Sequence, residues 1–230
     1  MKLEVVVPAY NEAEIIEESV RAIQEALSGF PLETRITVAD NGSTDETSKR
    51  AARAGAHLLA VPTRGKGAAL AYAASKSDAE FFAFIDADLS APPNELVNLY
   101  HELETHQADI VIGSRLLATA DVHRSFLRTC TSKLFNALRK VLLGISVVDT
   151  QCGLKLMNEK GRHVLASCEE TGWFLDIELL AKAERAGLVI REVPVAWEEF
   201  RFAGRESKLR VLRDGIGAVF AMLRIRSRLA

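Results

Sequence analysis

Two carboxylates separated by one residue close an apolar run at Phe81-Phe82-Ala83-Phe84-Ile85-Asp86-Ala87-Asp88. A continuous apolar run of this length fits a parallel strand covered on both faces. The end of such a strand is the edge of the sheet, where open α/β folds receive ligands. Residues i and i+2 of a strand point the same way, so Asp86 and Asp88 are placed to address one divalent cation and, through it, phosphate oxygens. The plainer alternative is helix capping, since Asp88 and Ser90 precede the helix-like Pro93-Asn94-Glu95-Leu96.

A second candidate is the basic loop Pro62-Thr63-Arg64-Gly65-Lys66-Gly67, which opens an Ala-rich helix. It is not a P-loop, because Gly67 stands where Ser or Thr must follow the lysine. Nor is it a dinucleotide fingerprint, because Leu70 takes the place of the last glycine and the loop follows the third strand. A cation beside a helix N-terminus can still hold a nucleotide phosphate or base, whereas the bland reading is a solvated basic loop. His101-Glu102-Leu103-Glu104-Thr105-His106 resembles a zinc-protease motif, but the second histidine comes one place too late to share a helix face with the first.

The elements that must position these residues alternate. Leu3–Pro8 predicts a strand, and Asn11 is suited to cap a helix to about Leu27 with Ile15, Ile16, Val20, Ile23 and Leu27 on one face. Arg35–Ala39 predicts a second strand, ending in the turn Asp40-Asn41-Gly42-Ser43-Thr44-Asp45. A helix to Ala54, a strand over Ala56–Val61, the helix after Lys66, the strand ending at Asp86, a helix over Pro93–Glu104 and a strand over Asp109–Gly113 follow, closing on Ser114-Arg115. That alternation predicts a parallel sheet with right-handed crossovers. Asp149–Leu156 predicts a short strand returning to the site, Gly172–Leu180 a helix start carrying Asp176 and Glu178 in its first turn, and Leu188–Val195 a further strand. The bland role for those two acids is dipole complementarity. Glu198–Ser207 reads as an Arg-rich loop that orders on a ligand, and Lys208–Arg228 as a final helix.

Composition narrows the classes. The chain has 230 residues, 48% hydrophobic and 26% charged, which describes a soluble globular protein able to bury a full core. Its formal charge of −2 gives no case for nucleic acid. Cys130, Cys152 and Cys168 lie far apart and read as reduced thiols of a cytosolic protein. No signal peptide is visible, and no apolar run approaches the roughly 18–20 residues of a membrane span. Val122–Val148, however, lacks acids and carries Arg124, Arg128, Lys133, Arg139 and Lys140 among Phe126, Leu127, Leu134, Phe135, Leu138, Leu142 and Leu143. A basic amphipathic segment of this kind suits an anionic membrane surface; otherwise it is a packed helix with a solvated basic face. The C-terminal Leu223-Arg224-Ile225-Arg226-Ser227-Arg228 is a second such segment, although basic residues at a helix end are ordinary.

Taken in order, Val7-Pro8-Ala9-Tyr10-Asn11-Glu12, Ala39–Asp45, Asp86-Ala87-Asp88 and Gly113-Ser114-Arg115 resemble family 2 glycosyltransferases of the GT-A fold. The second half is similar to the dolichyl- or polyprenyl-phosphate sugar synthases, through Arg128 with Ser132, Asp149-Thr150-Gln151-Cys152-Gly153-Leu154-Lys155, Gly172-Trp173 through Glu178, and Ser207-Lys208. The resemblance implies an α/β fold of GT-A (Rossmann-like) type: a mixed, mainly parallel sheet flanked by helices, with C-terminal amphipathic helices. It implies one domain over 1–230, with a nucleotide-binding half (1–115), an acceptor half (116–207) and a C-terminal basic helix (208–230). By the same resemblance, Pro8, Tyr10, Glu12 and Asp40 hold the nucleotide base and ribose, and Lys66 lies beside the nucleotide. Asp86 and Asp88 bind Mg²⁺ or Mn²⁺ on the donor diphosphate, with Asp88 also counted among the catalytic groups. Arg115 and Arg128, with Ser132, receive the lipid phosphate, and Lys208 closes over the donor.

The implied reaction moves a sugar from a UDP-glucose- or GDP-mannose-type donor to a polyprenyl or dolichyl phosphate, with inversion. The setting is the cytoplasmic face of the membrane, where the protein sits peripherally, alone or recruited by a membrane-protein partner. A phosphate acceptor is already ionised and needs cations more than a base. A saccharide hydroxyl would need a carboxylate, for which Asp176 or Glu178 is the candidate. Two departures stand out: Ser90 occupies a place where related mannosyltransferases often carry Gln, and the C-terminal transmembrane helices of many members are not seen in this sequence. The 149–156 motif is closer to the glucosyl-type members. A soluble family 2 enzyme with a saccharide acceptor and a non-catalytic nucleotide-sugar-binding protein share the first-half motifs. A nucleotidyltransferase does not, because Pro8-Ala9-Tyr10-Asn11-Glu12 is not a Gly-rich basic loop.

Overall fold

Leu3, Val5, Val6 and Val7 are all fully buried, as are Phe82, Ala83 and Phe84, so both runs lie inside a sheet covered on its two faces. The computed structural model describes residues 2–117, 139–198 and 211–229. Its strands are β1 (Lys2–Ala9), β2 (Glu33–Asp40), β3 (His57–Ala60), β4 (Phe81–Ile85), β5 (Ile110–Ser114), β6 (Leu154–Asn158) and β7 (Ile190–Pro194). Its helices are α1 (Ile16–Ala26), α2 (Thr47–Arg53), α3 (Lys66–Lys76), α4 (Glu95–Thr105), α5 (Glu159–Ala166), α6 (Leu175–Arg185) and α7 (Val211–Leu229).

One seven-stranded sheet has the order β3-β2-β1-β4-β6-β5-β7. The β1–β2, β1–β4, β2–β3 and β5–β7 pairs are parallel, and β6 is antiparallel to both β4 and β5. The sheet is therefore mixed and mainly parallel, as the fold class implied, with β6 as its antiparallel strand. The reason lies in the connection. β5 ends at the same edge from which β6 starts, with Ile85 opposite Leu154, so the chain can re-enter between β4 and β5 without a crossover. The returning strand is Leu154–Asn158, and residues 149–153 form the turn before it rather than part of it. That edge collects the ends of β1, β2, β4, β5 and β7 and the start of β6.

Helix ends are satisfied in specific ways. The Arg162 Nη1 of α5 donates to the carbonyls of Ala74 (3.1 Å) and Ser77 (2.8 Å) at the end of α3. Asn158 caps α5 by accepting from Gly161 N at 3.1 Å. Asn11 does not cap α1: the cap position is Ile15, and Asn11 takes a left-handed φ of 53°.

At the far end of the sheet the β1 residue Glu4 is buried and accepts from Arg35 Nη2 (2.8 Å), Thr37 Oγ1 (2.5 Å) and Ser77 Oγ (2.5 Å). Burial disfavours its charge, but the hydrogen bonds from Arg35, Ser77 and Thr37 outweigh it and hold the carboxyl below its ordinary 4.5. A depressed folded pKa contributes stability that is present above the unfolded value and is lost as pH falls through the folded one. Urea midpoints measured from neutral to acid pH should therefore fall less steeply on the acid side in Glu4→Gln than in wild type; parallel curves would show that Glu4 contributes nothing to the acid limb.

Candidate functional site

The first two loops at the sheet edge are fastened to each other. Asn11 N donates to Ser43 Oγ (3.0 Å), and Asn11 Oδ1 accepts from Thr44 N (2.8 Å). Glu12 N donates to Thr47 Oγ1 (2.9 Å) and Ala13 N to Asp45 Oδ2 (3.2 Å). Asp40, half-buried at the end of β2, accepts from Ser43 N at 3.0 Å and from the Ser48 hydroxyl. Pro8 and Glu12 are half-buried at the same edge, and Tyr10 is exposed beside Arg64. The Arg64 guanidinium donates to the Tyr10 hydroxyl at 2.9 Å and lies 4.9 Å from the ring centroid. Arg64 was not singled out among the expected contacts, although its place beside Gly65-Lys66 in a loop facing β1 was the available signal.

Asn41 ties this pair of loops to the third. It is buried, its Nδ2 donates to Thr63 O at 2.6 Å, and its Oδ1 accepts from Gly65 N. Gly65 has a φ of 126°, and a Cβ on Gly65 or Gly67 would overlap backbone atoms of residues 170–172. Ala68 N donates to Thr171 O at 3.1 Å. The start of α3 is thus seated against the turn before α6, and Lys66 projects from that seat.

Lys66 meets the acids of β4. Its Nζ lies 2.5 Å from Asp86 Oδ1 and 5.2 Å from the centroid of the Trp173 ring. Burial disfavours the ammonium, but Asp86, Asp176 and Asp88 outweigh it and raise the Lys66 pKa. Asp86 and Asp88 are half-exposed and follow β4 in a turn closed by Leu89 N on Asp86 O at 3.0 Å, with Leu89 at φ 49°. A turn, not strand alternation, therefore places both acids at the edge. Asp88 Oδ1 also accepts from Ser90 N at 3.1 Å, so the capping-type contact and the exposed position coexist. Gly153 closes the other side, where a Cβ would overlap the Asp86 carboxylate.

Asp176 and Glu178 are not at the open edge. Asp176 is 3% exposed, and its Oδ1 lies 2.5 Å from Nζ of Lys155, which is itself fully buried. The same ammonium donates to Thr150 O (3.1 Å) and Cys152 O (2.6 Å). Glu178 is fully buried; its Oε2 accepts from Glu169 N (2.9 Å) and Glu170 N (2.7 Å), and its Oε1 lies 2.9 Å from Lys182 Nζ. These first-turn acids are engaged by buried neighbours. Lys155 is named in the sequence only as the end of the 149–155 motif, because a lysine between two leucines gives no sign of a buried ion pair.

Arg115 stands just past β5, half-buried, and its fork is engaged. Nε and Nη2 each lie 2.8 Å from the Asp149 carboxylate, and the Arg115 backbone N donates to the same acid at 2.9 Å. Burial disfavours the guanidinium, yet Asp149 outweighs it and the pKa rises; the Asp149 pKa is lowered in turn by Arg115 against its own burial. Arg115 is thus a clamp on the 149–153 turn before it is a phosphate ligand. Arg128, Ser132 and Lys208 lie outside the described residues, as do most of the Val122–Val148 and Glu198–Ser207 segments.

Two arginines of α7 pair with acids of the turn before α6. Arg224 reaches Glu170 through Nε (2.7 Å) and Nη2 (2.6 Å), and Arg228 reaches Glu170 (3.0 Å) and Glu169 (3.3 Å). Two of the basic residues expected to meet a membrane are therefore paired with acids. The outward side of α7 instead carries Val219, Phe220 and Leu223, all exposed. Among the described residues no helix is long and apolar enough to cross a membrane.

Asp86 and Asp88 are the residues of this edge that could hold a hard cation. Asp86, Asp88 and Asp176 are three carboxylates around Lys66, with Lys155 the second ammonium, so one negative charge is left over. Among the described residues no group of three or more His, Cys, Asp and Glu is arranged to hold a metal ion alone. Two oxygen donors, Asp86 and Asp88, suit an ion whose remaining ligands come from phosphate and water.

Residues 4–163 match the family model described as Glycosyl transferase family 2, a stretch that runs from within β1 through β6 and includes every loop of this edge up to Lys155. The chain belongs to glycosyl transferase family 2. It is 31% identical over 233 residues to glycosyltransferase AglD of Haloferax volcanii, covering 97% of this chain and 37% of that protein. It is 29% identical over 246 residues to a dolichyl-phosphate beta-glucosyltransferase of Dictyostelium discoideum, covering 98% of this chain and 74% of that one. The crystal structure of glucosyl-3-phosphoglycerate synthase from Mycobacterium tuberculosis, in complex with Mn²⁺, UDP and glucosyl-3-phosphoglycerate, superposes with a TM-score of 0.72 at 28% identity, covering 98% of this chain and 79% of that one. The fold is accordingly GT-A, and this family 2 member is a glycosyltransferase enzyme.

Proposed function

We propose that this enzyme transfers a hexose from a nucleoside-diphosphate sugar, UDP-glucose before GDP-mannose, to the phosphate of a polyprenyl or dolichyl carrier at the cytoplasmic face of a membrane. The likeness to a dolichyl-phosphate beta-glucosyltransferase and to a structure holding UDP supports the donor and the acceptor class. The observation that carries the choice of acceptor is the burial of Asp176 and Glu178. A saccharide hydroxyl needs a carboxylate to take its proton, and these two acids are tied to Lys155 and to the backbone of residues 169–170. A phosphate monoester is largely ionised at neutral pH and makes no such demand.

In this reading an oxygen of the carrier phosphate attacks the anomeric carbon as the bond from that carbon to the donor diphosphate breaks, and the nucleoside diphosphate leaves. Asp86 and Asp88 hold the Mg²⁺ or Mn²⁺ that, when bound, offsets charge developing on the leaving diphosphate. Lys66 reaches the same phosphates, the loops of Tyr10, Glu12 and Asp40 border the nucleoside, and Arg128 and Lys208 supply the cations that the Asp149-bound fork of Arg115 does not. The exposed Val219, Phe220 and Leu223 offer an apolar face to the bilayer that contains the carrier.

The deciding assay offers UDP- and GDP-sugars with three acceptors: a short polyprenyl phosphate, 3-phosphoglycerate and a simple saccharide, each with Mn²⁺ and with EDTA. Transfer from one donor to the lipid phosphate, stopped by EDTA, is expected. Transfer only to phosphoglycerate or to the saccharide would replace the acceptor assignment, and donor binding without turnover would replace catalysis with a binding role.

A further inference from the structure

We propose that Lys66 is a tethered counter-cation of the metal site: it neutralises Asp86 while the donor is away and transfers to the donor diphosphate when metal and donor arrive, so that metal without nucleotide binds weakly. The inference rests on the reading of Asp86 and Asp88 as metal ligands.

The geometry sets a short side chain, closed in on one side, against a long one on a seated backbone. Asp86 is held against Gly153 on one side, where even a Cβ would overlap its carboxylate. The backbone of Lys66 is equally held, by Asn41 on Gly65 N and by the seating of Gly65 and Gly67 on residues 170–172. The partner with the longer reach is the four-carbon lysine stem, whose ammonium is 2.5 Å from Asp86 Oδ1. The Trp173 ring lies 5.2 Å from that ammonium.

Charge then sets the order of events. An ammonium in contact with a carboxylate oxygen and a dication on the same carboxylate repel each other strongly in a half-buried site. Asp86 is 34% exposed at its side chain and Lys66 only 14%, so solvent screens this repulsion poorly. A metal ion arriving alone must displace Lys66 with no new anion to receive it. A metal–diphosphate complex brings that anion, and the N-terminus of α3, from which Lys66 springs, favours the same negative charge. Metal and nucleotide are therefore coupled through one side chain, each raising the affinity for the other.

The test is Lys66→Met, read by electron paramagnetic resonance of free Mn²⁺ and by titration with UDP and GDP. Removing the competing cation should tighten Mn²⁺ binding without nucleotide by on the order of tenfold, and weaken nucleoside-diphosphate binding in the presence of Mn²⁺ by a similar factor. Lys66→Arg, which keeps the charge, should leave metal affinity near wild type. Damage to the fold would weaken both ligands together, so opposite signs are the signature. Unchanged or weaker Mn²⁺ binding by Lys66→Met, with Mn²⁺·UDP or Mn²⁺·GDP still bound by wild type and lost in Asp88→Ala, overturns the counter-cation role alone. Wild type that takes up Mn²⁺ neither with nor without UDP or GDP overturns the metal reading beneath it as well.

Discussion

Replacing Asp88 with alanine should lower sugar transfer by roughly 10³-fold, the scale of several kcal/mol of lost charge stabilisation in a metal-assisted step. The same substitution should leave the thermal midpoint within a degree or so, because half-exposed surface positions outside a network change stability little. Asp88 meets that condition for hydrogen bonds, and its pull on the Lys66 ammonium is weaker than that of Asp86 or Asp176. It is half-exposed, and the hydrogen bond recorded for its side chain is with Ser90 N in a turn already closed by Leu89 N on Asp86 O. Activity and stability are thereby separable at this residue, unlike at Asp86, which is packed against Gly153 and paired with Lys66. Initial rates at saturating Mn²⁺ with a melting curve on the same preparation decide it. A variant that melts normally and keeps even a tenth of the rate would remove Asp88 from the metal site.

How much of this edge the sequence discloses depends on the kind of force involved. β1, β2 and β4 are legible because runs such as Val5-Val6-Val7 and Phe82-Ala83-Phe84 have no stable place except between two layers. The order of loops along the edge follows from the strand–helix alternation, which is why Asp40, Lys66, Asp86 and Arg115 come to one side of the sheet. Pairing partners are not legible in the same way. Asn11 looks like a cap in its own segment, and only the neighbouring strand brings Ser43 and Thr44 within its reach. Arg224 and Arg228 look like a membrane-facing tail until the turn before α6 presents Glu169 and Glu170 to them. Periodicity tells which face of an element is apolar, whereas long-range charge pairing depends on a topology fixed by the antiparallel insertion of β6.

The largest effect on stability should come from Lys155→Met. The ammonium is fully buried, and its three protons face three acceptors: Thr150 O, Cys152 O and Asp176 Oδ1. Methionine fills most of the volume but leaves the Asp176 carboxylate without its counter-charge and two carbonyls without donors. Breaking one side of a buried ion pair costs about 3–5 kcal/mol, which for a chain of this length lowers the thermal midpoint by roughly 10 °C. Pairing it with Asp176→Leu separates the two contributions. The double variant no longer buries a lone charge and should regain part of the lost stability, less whatever the Thr150 and Cys152 carbonyls still cost. Activity should not return with it. The Thr150–Gly153 turn that rests on Asp86 loses its tie to α6, and Lys66 loses the Asp176 charge that helps to hold it. A double variant as unstable as the single one would mean that the carbonyls of the turn, and not the buried carboxylate, are what Lys155 is there to satisfy.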